Sequence, residues 1–166
     1  AISLALFLAG LALTALFEQQ VRNRVVQELN NDLLQLVGAI EIGANGDLKV
    51  IRALADPRYK TPYSGKYWRI EQVDGASPTE LLRSRSLWDV TLALAPDHPS
   101  QGQIHHHEIS GPADSRVLVS ERIVFLNVAD RPVPVRVAVA VDVKRLSTAK
   151  AAFTADLAIA LGLLGL

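Results

Sequence analysis

Hydrophobic and polar positions divide the chain into three parts with different patterns. Residues 1–17 are apolar on every face of a helix, residues 18–156 mix apolar and polar positions, and residues 157–166 are apolar again. At about 1.5 Å per residue the first part would span about 25 Å of a hydrocarbon core that is ~30 Å thick. We therefore expect a truncated transmembrane helix at each end of a central domain, with a cleaved signal peptide as the alternative for the first part.

A helical period continues beyond the first apolar part. Apolar residues recur at alternating spacings of three and four, at Val26, Leu29, Leu33, Leu36 and Ile40. This spacing is typical of a helix that packs against a partner helix, but the same face would serve equally for packing on the chain's own domain. The pattern predicts one long helix that continues to Ile40 and leaves its packing partner open.

After Ile40 the period changes from helical to the two-residue alternation of strands. Gly43–Asp47 is a predicted turn, because its Asn-Gly pair suits positive φ. In the last strand candidate Val occupies every second position, and Pro134 predicts that this strand lies at a sheet edge or has a frayed start. The strand candidates are Leu48–Leu54, Lys66–Val73, Glu80–Ser86, Gln103–Ile109, Arg116–Leu126 and Val133–Asp142.

After Asp142 apolar residues again recur on one helical face and lead into the second apolar end. The order of elements predicts an α+β fold, in which a long N-terminal helix packs on a central antiparallel sheet. Truncated transmembrane helices at 1–17 and 157–166 would flank a domain at 18–156.

Composition excludes several function classes. Lys and Arg together number 17, as do Asp and Glu, so the net charge of zero gives no field that would attract nucleic acid. The chain has no Cys, which excludes disulfides and thiolate-bound metals. It also has no Met and begins at Ala1, from which we expect a fragment of a longer protein.

Histidines offer one set of candidate metal ligands. His105 and His107 share a face of a predicted strand, and His98 would approach from the preceding loop. Imidazole ligands suit zinc or copper, although a polar edge strand near a turn explains the same residues. The run His107–Pro112 also resembles the phosphoacceptor box of histidine kinases. We interpret that match as coincidence, because the run lies between strand candidates and no ATP-binding motif accompanies it.

Aromatic and arginine residues in the middle of the chain form a candidate ligand site. Arginine forks bind anionic groups, and aromatic rings form the walls of pockets. A solvated ladder of Arg and Glu side chains is the alternative. The candidate ligand-binding residues are Tyr63, Tyr67, Arg69, Arg83 and Arg85. The sequence contains no nucleophile elbow or phosphate-binding loop, so we expect no catalytic site in this chain.

Three stretches resemble the periplasmic sensor regions of bacterial two-component sensor histidine kinases, in particular the PhoQ-like kinases of alphaproteobacteria. They are Leu54–Tyr59 (LADPRY), Pro62–Ile70 (PYSGKYWRI) and Leu82–Asp89 (LRSRSLWD). The resemblance implies a PAS-like sensor fold of the PDC type and a homodimer. It also implies a cytoplasmic HAMP, dimerisation and kinase portion outside this chain, which would use ATP and Mg. The acidic run of PhoQ is absent, so cation sensing of that kind is not expected.

These features together predict the extracytoplasmic signal-sensing domain of a sensor histidine kinase of a bacterial inner membrane, with the sensor in the periplasm. The signal would be a small molecule, an ion or a periplasmic protein, and the output would reach a cytoplasmic response regulator through the kinase portion. We expect no cofactor in this chain and no nucleic-acid partner. The alternatives are the sensor of a chemoreceptor or cyclase, a membrane-anchored binding or scaffold protein, and a metal-dependent extracytoplasmic enzyme.

Overall fold

The computed structural model describes residues 2–43, 45–73, 78–95, 102–128 and 131–144. Over these residues a long helix, α1 (Ile2–Gly38), precedes all of the strands. Residues Gln27–Asp142 form a compact unit of their own. The strands are β1 (Ile40–Ile42), β2 (Leu48–Val50), β3 (Lys66–Gln72), β4 (Thr79–Arg83), β5 (His105–Ser110), β6 (Arg116–Val128) and β7 (Arg131–Asp142).

The described strands form two antiparallel sheets. β1 and β2 make a hairpin, and its turn contains Gly46 at a φ of 80°. The other five strands form one sheet in the order β4-β3-β7-β6-β5. The predicted α+β class, with one long N-terminal helix and an antiparallel sheet, is therefore confirmed. Two strands end three or more residues earlier than predicted, β2 at Val50 and β4 at Arg83.

The heptad-like face of α1 packs within its own chain. Leu29, Leu33 and Leu36 are each at most 1% exposed in the single chain, so at these positions the face packs on the chain's own domain. The helix ends at Gly38, so Ile40 belongs to β1 and not to the helical face.

Strand β7 lies in the centre of the sheet, between β3 and β6, so the edge position predicted from Pro134 is wrong. The carbonyl of Pro134 accepts a hydrogen bond from the N–H of Val73 at 3.1 Å. The N and C=O of one strand residue point toward the same neighbour, so the missing N–H of Pro134 also faces the β3 side. Pro134 lies opposite Val73, one position past the last register pair of β3, Gln72 with Val135, so the ladder bond that the proline removes is the one at the end of β3.

Both faces of the sheet are covered. Val135, Val137, Val139 and Val141 of β7 are buried on one face. On the other face the segment that follows β4 closes a core cluster of buried side chains. That cluster comprises Tyr67, Leu87, Leu92, Val117, Val119, Ala138 and Ala140.

Within the described residues no helix combines the length and the apolarity that crossing a membrane requires. Residues 157–166, which were predicted as the second membrane segment, lie outside the described residues. The predicted helix after Asp142 lies outside them beyond Lys144.

Candidate functional site

A buried lysine joins the helix to the sheet. Lys66 is the first residue of β3, and only 2% of its side chain is exposed. Its Nζ lies 2.6 Å from Glu28 Oε1, 2.7 Å from Asp32 Oδ2 and 3.2 Å from Asp56 Oδ2. Glu28 and Asp32 are four residues apart on α1 and therefore face the same direction. One ammonium group thus binds carboxylates from two separate segments of the chain.

The third carboxylate comes from a short 3-10 helix, Pro57–Lys60, whose first turn Asp56 caps. Asp56 accepts hydrogen bonds from the backbone N–H of Arg58 at 3.0 Å and from its Nε at 2.9 Å. The hydroxyl of Tyr59, in the same short helix, donates to Asp32 Oδ2 at 2.6 Å. We call Glu28, Asp32, Asp56, Arg58, Tyr59 and Lys66 the Lys66 cluster.

The charges of the Lys66 cluster shift the pKa values of its members. Hydrogen bonds from Arg58, and further contacts with Lys66, hold the pKa of Asp56 well below its usual range. Burial, reinforced by the bond to Asp32, raises the pKa of the Tyr59 hydroxyl, so it stays a donor. Burial alone would lower the pKa of Lys66, but its bonds to Asp32 and Glu28 outweigh burial and raise it. Asp56 and Lys66 are therefore both charged at neutral pH, and the ion pairs of Lys66 connect α1 and the short helix to the sheet.

A second charged network lies on the opposite face of the sheet. Arg136 of β7 is fully buried and lies 3.3 Å from Glu71 and 3.8 Å from Glu121. Its Nη1 also donates to the backbone carbonyl of Ala95 at 2.6 Å. Arg136 therefore ties the central strand to the segment that covers this face.

Two arginines from β3 and β4 extend this network toward the edge of the sheet. Arg69 pairs with Glu71 at 2.8 Å and with Glu80 at 3.1 Å, and it donates to the carbonyl of Leu92. Arg83 lies opposite Arg69 in the register and pairs with Glu80 at 3.5 Å. The Arg/Glu ladder is thus present, but its inner members are buried and not solvated. We call Arg69, Glu71, Glu80, Arg83, Glu121 and Arg136 the Arg136 ladder.

The five candidate ligand-binding residues do not meet in one place. Arg69 and Arg83 belong to the ladder, and Tyr67 is buried in the core cluster on the same face. Tyr63 is 46% exposed, and its hydroxyl contacts Asp89. The predicted convergence of Arg85 with these residues is wrong. The strand ends at Arg83, and a 3-10 helix begins at Arg85, which breaks the alternation of faces.

Arg85 instead lines a cavity of about 520 Å³ on the face of the sheet that carries Trp68. Strand β2 and the segment after it form one wall, and Tyr59 and Trp68 contribute aromatic rings. Of the candidate residues only Arg85 lies in this cavity, so the cavity is a site that the sequence interpretation did not locate.

The histidines lie on β5, at the edge of the sheet. His105 and His107 are on alternate positions of this strand, and between them His106 Nδ1 lies 2.8 Å from Ser120 Oγ. The third candidate ligand, His98, lies outside the described residues. Among the described residues no group of three or more His, Cys, Asp or Glu side chains could hold a metal ion. His107 and Glu108 lie on a strand, as expected, and not on the helix that a phosphoacceptor box needs.

The residues of the Lys66 cluster were missed by the interpretation of the sequence. Nothing in the composition of β3 marks Lys66 as buried, because a lysine at the start of a strand is normally solvated. A usable signal does exist in α1. Glu28 and Asp32 directly flank the buried positions Leu29 and Leu33, so they lie at the border of the packed face, where a carboxylate can reach a cation on the sheet.

Comparison with known proteins found one relevant similarity. The chain is 31% identical over 104 residues to the sensor protein kinase CarS of Pseudomonas aeruginosa, an alignment that covers 63% of this chain. The chain spans 21% of the length of that relative. No family model matches the chain, and no solved structure matches it. The chain is similar to one region of a sensor protein kinase.

Proposed function

We propose that this chain is the extracytoplasmic sensor domain of a membrane-bound histidine kinase and that it acts as a homodimer in the bacterial periplasm. The similarity to a sensor protein kinase supports this proposal. So does the architecture, in which a long helix packs on an antiparallel sheet with no catalytic motif. The proposal also places the apolar residues at 1–17 and 157–166 in the inner membrane, although no helix within the described residues has the length and apolarity to span it by itself. The PhoQ-like, alphaproteobacterial assignment stays a prediction.

The single observation that carries the proposal is the Lys66 cluster. Lys66 on β3 is buried against Glu28 and Asp32 of α1, so two ion pairs connect the sheet to this part of the helix. Breaking a buried ion pair is costly, because it leaves an uncompensated charge in the protein interior. A signal that alters β3 or the short helix at Asp56 would therefore alter the preferred position of α1. Such a coupling converts binding on the sheet into helix movement.

In this proposal the kinase portion lies outside the chain, binds ATP and Mg, and transfers phosphate to a response regulator. Its activity would depend on which of two helix arrangements is populated. A signal can shift that balance only by its differential affinity for the two arrangements.

The test is autophosphorylation of the longest natural polypeptide that contains these 166 residues. Membrane vesicles carrying it are incubated with radiolabelled ATP and Mg, and Asp32→Asn is compared with the unaltered protein. Because Asp32 Oδ2 accepts from both Lys66 and Tyr59, we expect basal autophosphorylation to change about fivefold or more.

The matched control is Asp114→Asn, which removes a carboxylate from an exposed turn that has no part in either network. It should leave autophosphorylation unchanged. A polypeptide without kinase activity would reject the proposal. If a methyl-accepting or cyclase portion is found in its place, the function is that of a chemoreceptor or cyclase sensor.

A further inference from the structure

The cavity beside Arg85 is large enough for a small organic molecule. Its volume of about 520 Å³ falls within the range of clefts that enclose such ligands. It is separate from both charged networks, except that the ring of Tyr59 forms part of its wall. A ligand there would therefore contact a member of the Lys66 cluster directly.

The interior of the cavity is apolar. Its walls include aliphatic residues from β2, the following segment and β4, for example Val50, Leu54 and Leu82. The rings of Tyr59 and Trp68 add flat apolar surface. Aliphatic and aromatic walls of this kind favour a hydrocarbon or aryl body over a sugar or a nucleotide.

The charges at the cavity all have one sign. Lys49, Lys60 and Arg85 line it, and no Asp or Glu side chain does. Lys49 pairs with the exposed Asp47 at 3.0 Å. Within the part of the chain that the structure describes, Lys60 and Arg85 form no ion pair. In the Arg136 ladder, by contrast, each arginine has a carboxylate. Two cations without carboxylates beside an apolar cavity fit a ligand that brings its own negative group.

We propose that this cavity binds a small amphiphilic anion, namely an aliphatic or aromatic body that carries one carboxylate. The body lies against Trp68 and Leu82, and the carboxylate lies at Arg85 and Lys60. The signalling role of this ligand rests on the proposed function, since the ligand would act on the Lys66 cluster through Tyr59. Binding itself does not depend on a kinase.

Binding can be measured on the 166-residue chain through tryptophan fluorescence. The chain has two Trp residues, and Trp88 is exposed and away from the cavity. In a Trp88→Phe background the emission reports Trp68 alone. The probes are octanoate and phenylbutyrate, which separate an aliphatic from an aromatic body. Each is compared with its own primary amide, which has the same shape and no charge.

We expect at least one carboxylate to change the Trp68 emission saturably and to bind about tenfold more tightly than its amide. In the double variant Lys60→Gln, Arg85→Gln the preference for the carboxylate should shrink to about twofold or less, because both cations are removed. Both side chains are exposed, so their loss does not disturb the core. The variant Leu82→Phe, which fills the cavity, should abolish binding of the carboxylates and of their amides. Ala53→Leu fills the same cavity from an exposed position and replaces Leu82→Phe if that variant is unstable.

Three results would overturn the proposal: no saturable binding of either carboxylate, equal affinity for carboxylate and amide, or a preference that the double variant retains. Circular dichroism of every variant shows whether it is folded. A separate outcome concerns the function. If carboxylates bind as described but leave autophosphorylation unchanged, the site is real and the signalling role fails.

Discussion

A lysine side chain that is only 2% exposed stays charged because carboxylates replace the water it has lost. Lys66 has three such carboxylates within 3.2 Å and lies 5.3 Å from the centre of the Tyr59 ring. Its partners Asp32 and Asp56 are themselves mostly buried. At this position the charge is a structural requirement, and its removal should be far more costly than the removal of a surface lysine.

Lys66→Met removes the ammonium group and leaves Asp32 and Asp56 without their shared cation. We expect the free energy of unfolding to fall by about 3 kcal/mol, the cost of breaking a buried pair from one side. Equilibrium urea denaturation followed by circular dichroism measures this change. Lys49→Met is the control, since Lys49 is exposed and pairs with the exposed Asp47; it should cost less than about 1 kcal/mol. If both variants lost the same free energy of unfolding, the charge of Lys66 would not be a structural requirement.

Asp56 should make the stability depend on pH in the acid range. Its pKa is lower in the folded chain, chiefly because of Arg58, than the ~3.9 of an unfolded aspartate. A group with a depressed folded pKa contributes its stability above the unfolded pKa and loses that contribution as the pH falls toward the folded value. We therefore expect stability to decline below about pH 4, and the decline should be shallower in Asp56→Asn.

Urea midpoints measured at a series of pH values test this expectation. Asp114→Asn serves as the control, because Asp114 lies in an exposed turn and belongs to neither charged network. Its profile should follow that of the unaltered chain. If the urea midpoint of Asp56→Asn falls with pH as steeply as those of the unaltered chain and Asp114→Asn, Asp56 is excluded as a source of the acid sensitivity.

Single residues show how far alternation can be used to predict a site. Arg69 and Arg83, two of the candidate ligand-binding residues, lie opposite each other in the register of β3 and β4. Arg85 follows the same spacing but belongs to a 3-10 helix, where a period of two no longer applies. Lys66 could not be recognised as buried, because its burial depends on carboxylates from α1 and Asp56 that are distant in sequence.

Among the elements, the segment after β4 is held by three arginine side chains. Within residues 88–95 the carbonyls of Val90, Leu92 and Ala95 accept hydrogen bonds from Arg83, Arg69 and Arg136. This segment contains no strand or helix beyond the end of the 3-10 helix Arg85–Leu87. Its position is therefore set by guanidinium groups that reach out from the sheet and by the burial of Leu87 and Leu92.

Arg69→Gln should loosen this segment without unfolding the sheet, because it removes the donor to Leu92 and the pairs with Glu71 and Glu80. We expect amides in residues 88–95 to exchange with deuterium about tenfold faster, while amides of β6 and β7 keep their rates. Hydrogen exchange with mass spectrometry measures both.

Arg116→Gln provides the comparison, since Arg116 is 71% exposed and pairs with Glu108 at the far edge of the sheet. It should leave exchange in residues 88–95 unchanged. Faster exchange spread evenly over all strands in Arg69→Gln would mean that the arginine stabilises the whole sheet and does not act as a local tie.

The elements themselves were largely predictable. The run of alternating Val residues identified β7, and the Asn-Gly pair identified the turn between β1 and β2. The place of β7 in the sheet was not predictable from Pro134, because a proline opposite the end of a neighbouring strand removes only the last hydrogen bond of the ladder. Where β3 ends is a property of the neighbour and not of β7.

At the scale of the whole molecule, residues Gln27–Asp142 form one compact unit that contains both charged networks and the cavity. The helix residues from Gln27 onward supply Leu29, Leu33 and Leu36 to its interior. Their burial was foreseeable from the spacing of three and four. Which surface they would cover was not, since the same spacing serves a partner helix equally well.

A fragment of residues 27–142 should therefore fold alone and unfold in a single cooperative thermal transition, which circular dichroism measures. The matched fragment 40–142 lacks Glu28, Asp32 and the three buried leucines, so it should lose that cooperativity. Similar melting curves for the two fragments would show that the helix contributes little to the unit.

The two prolines at the start of β7 have a consequence for the behaviour of the protein in concentrated solution. Beyond the last register pair with β3, the hairpin of β6 and β7 continues to Val128 and Arg131 as a two-stranded ribbon, with Phe125 49% exposed beside it. Free strand edges with unpaired N–H groups recruit strands from other molecules and begin aggregates. On the β7 side of this ribbon the N–H positions belong to Pro132 and Pro134, and neither can donate. The β7 edge therefore cannot offer an incoming strand these hydrogen bonds, and this disfavours intermolecular β-assembly at that edge.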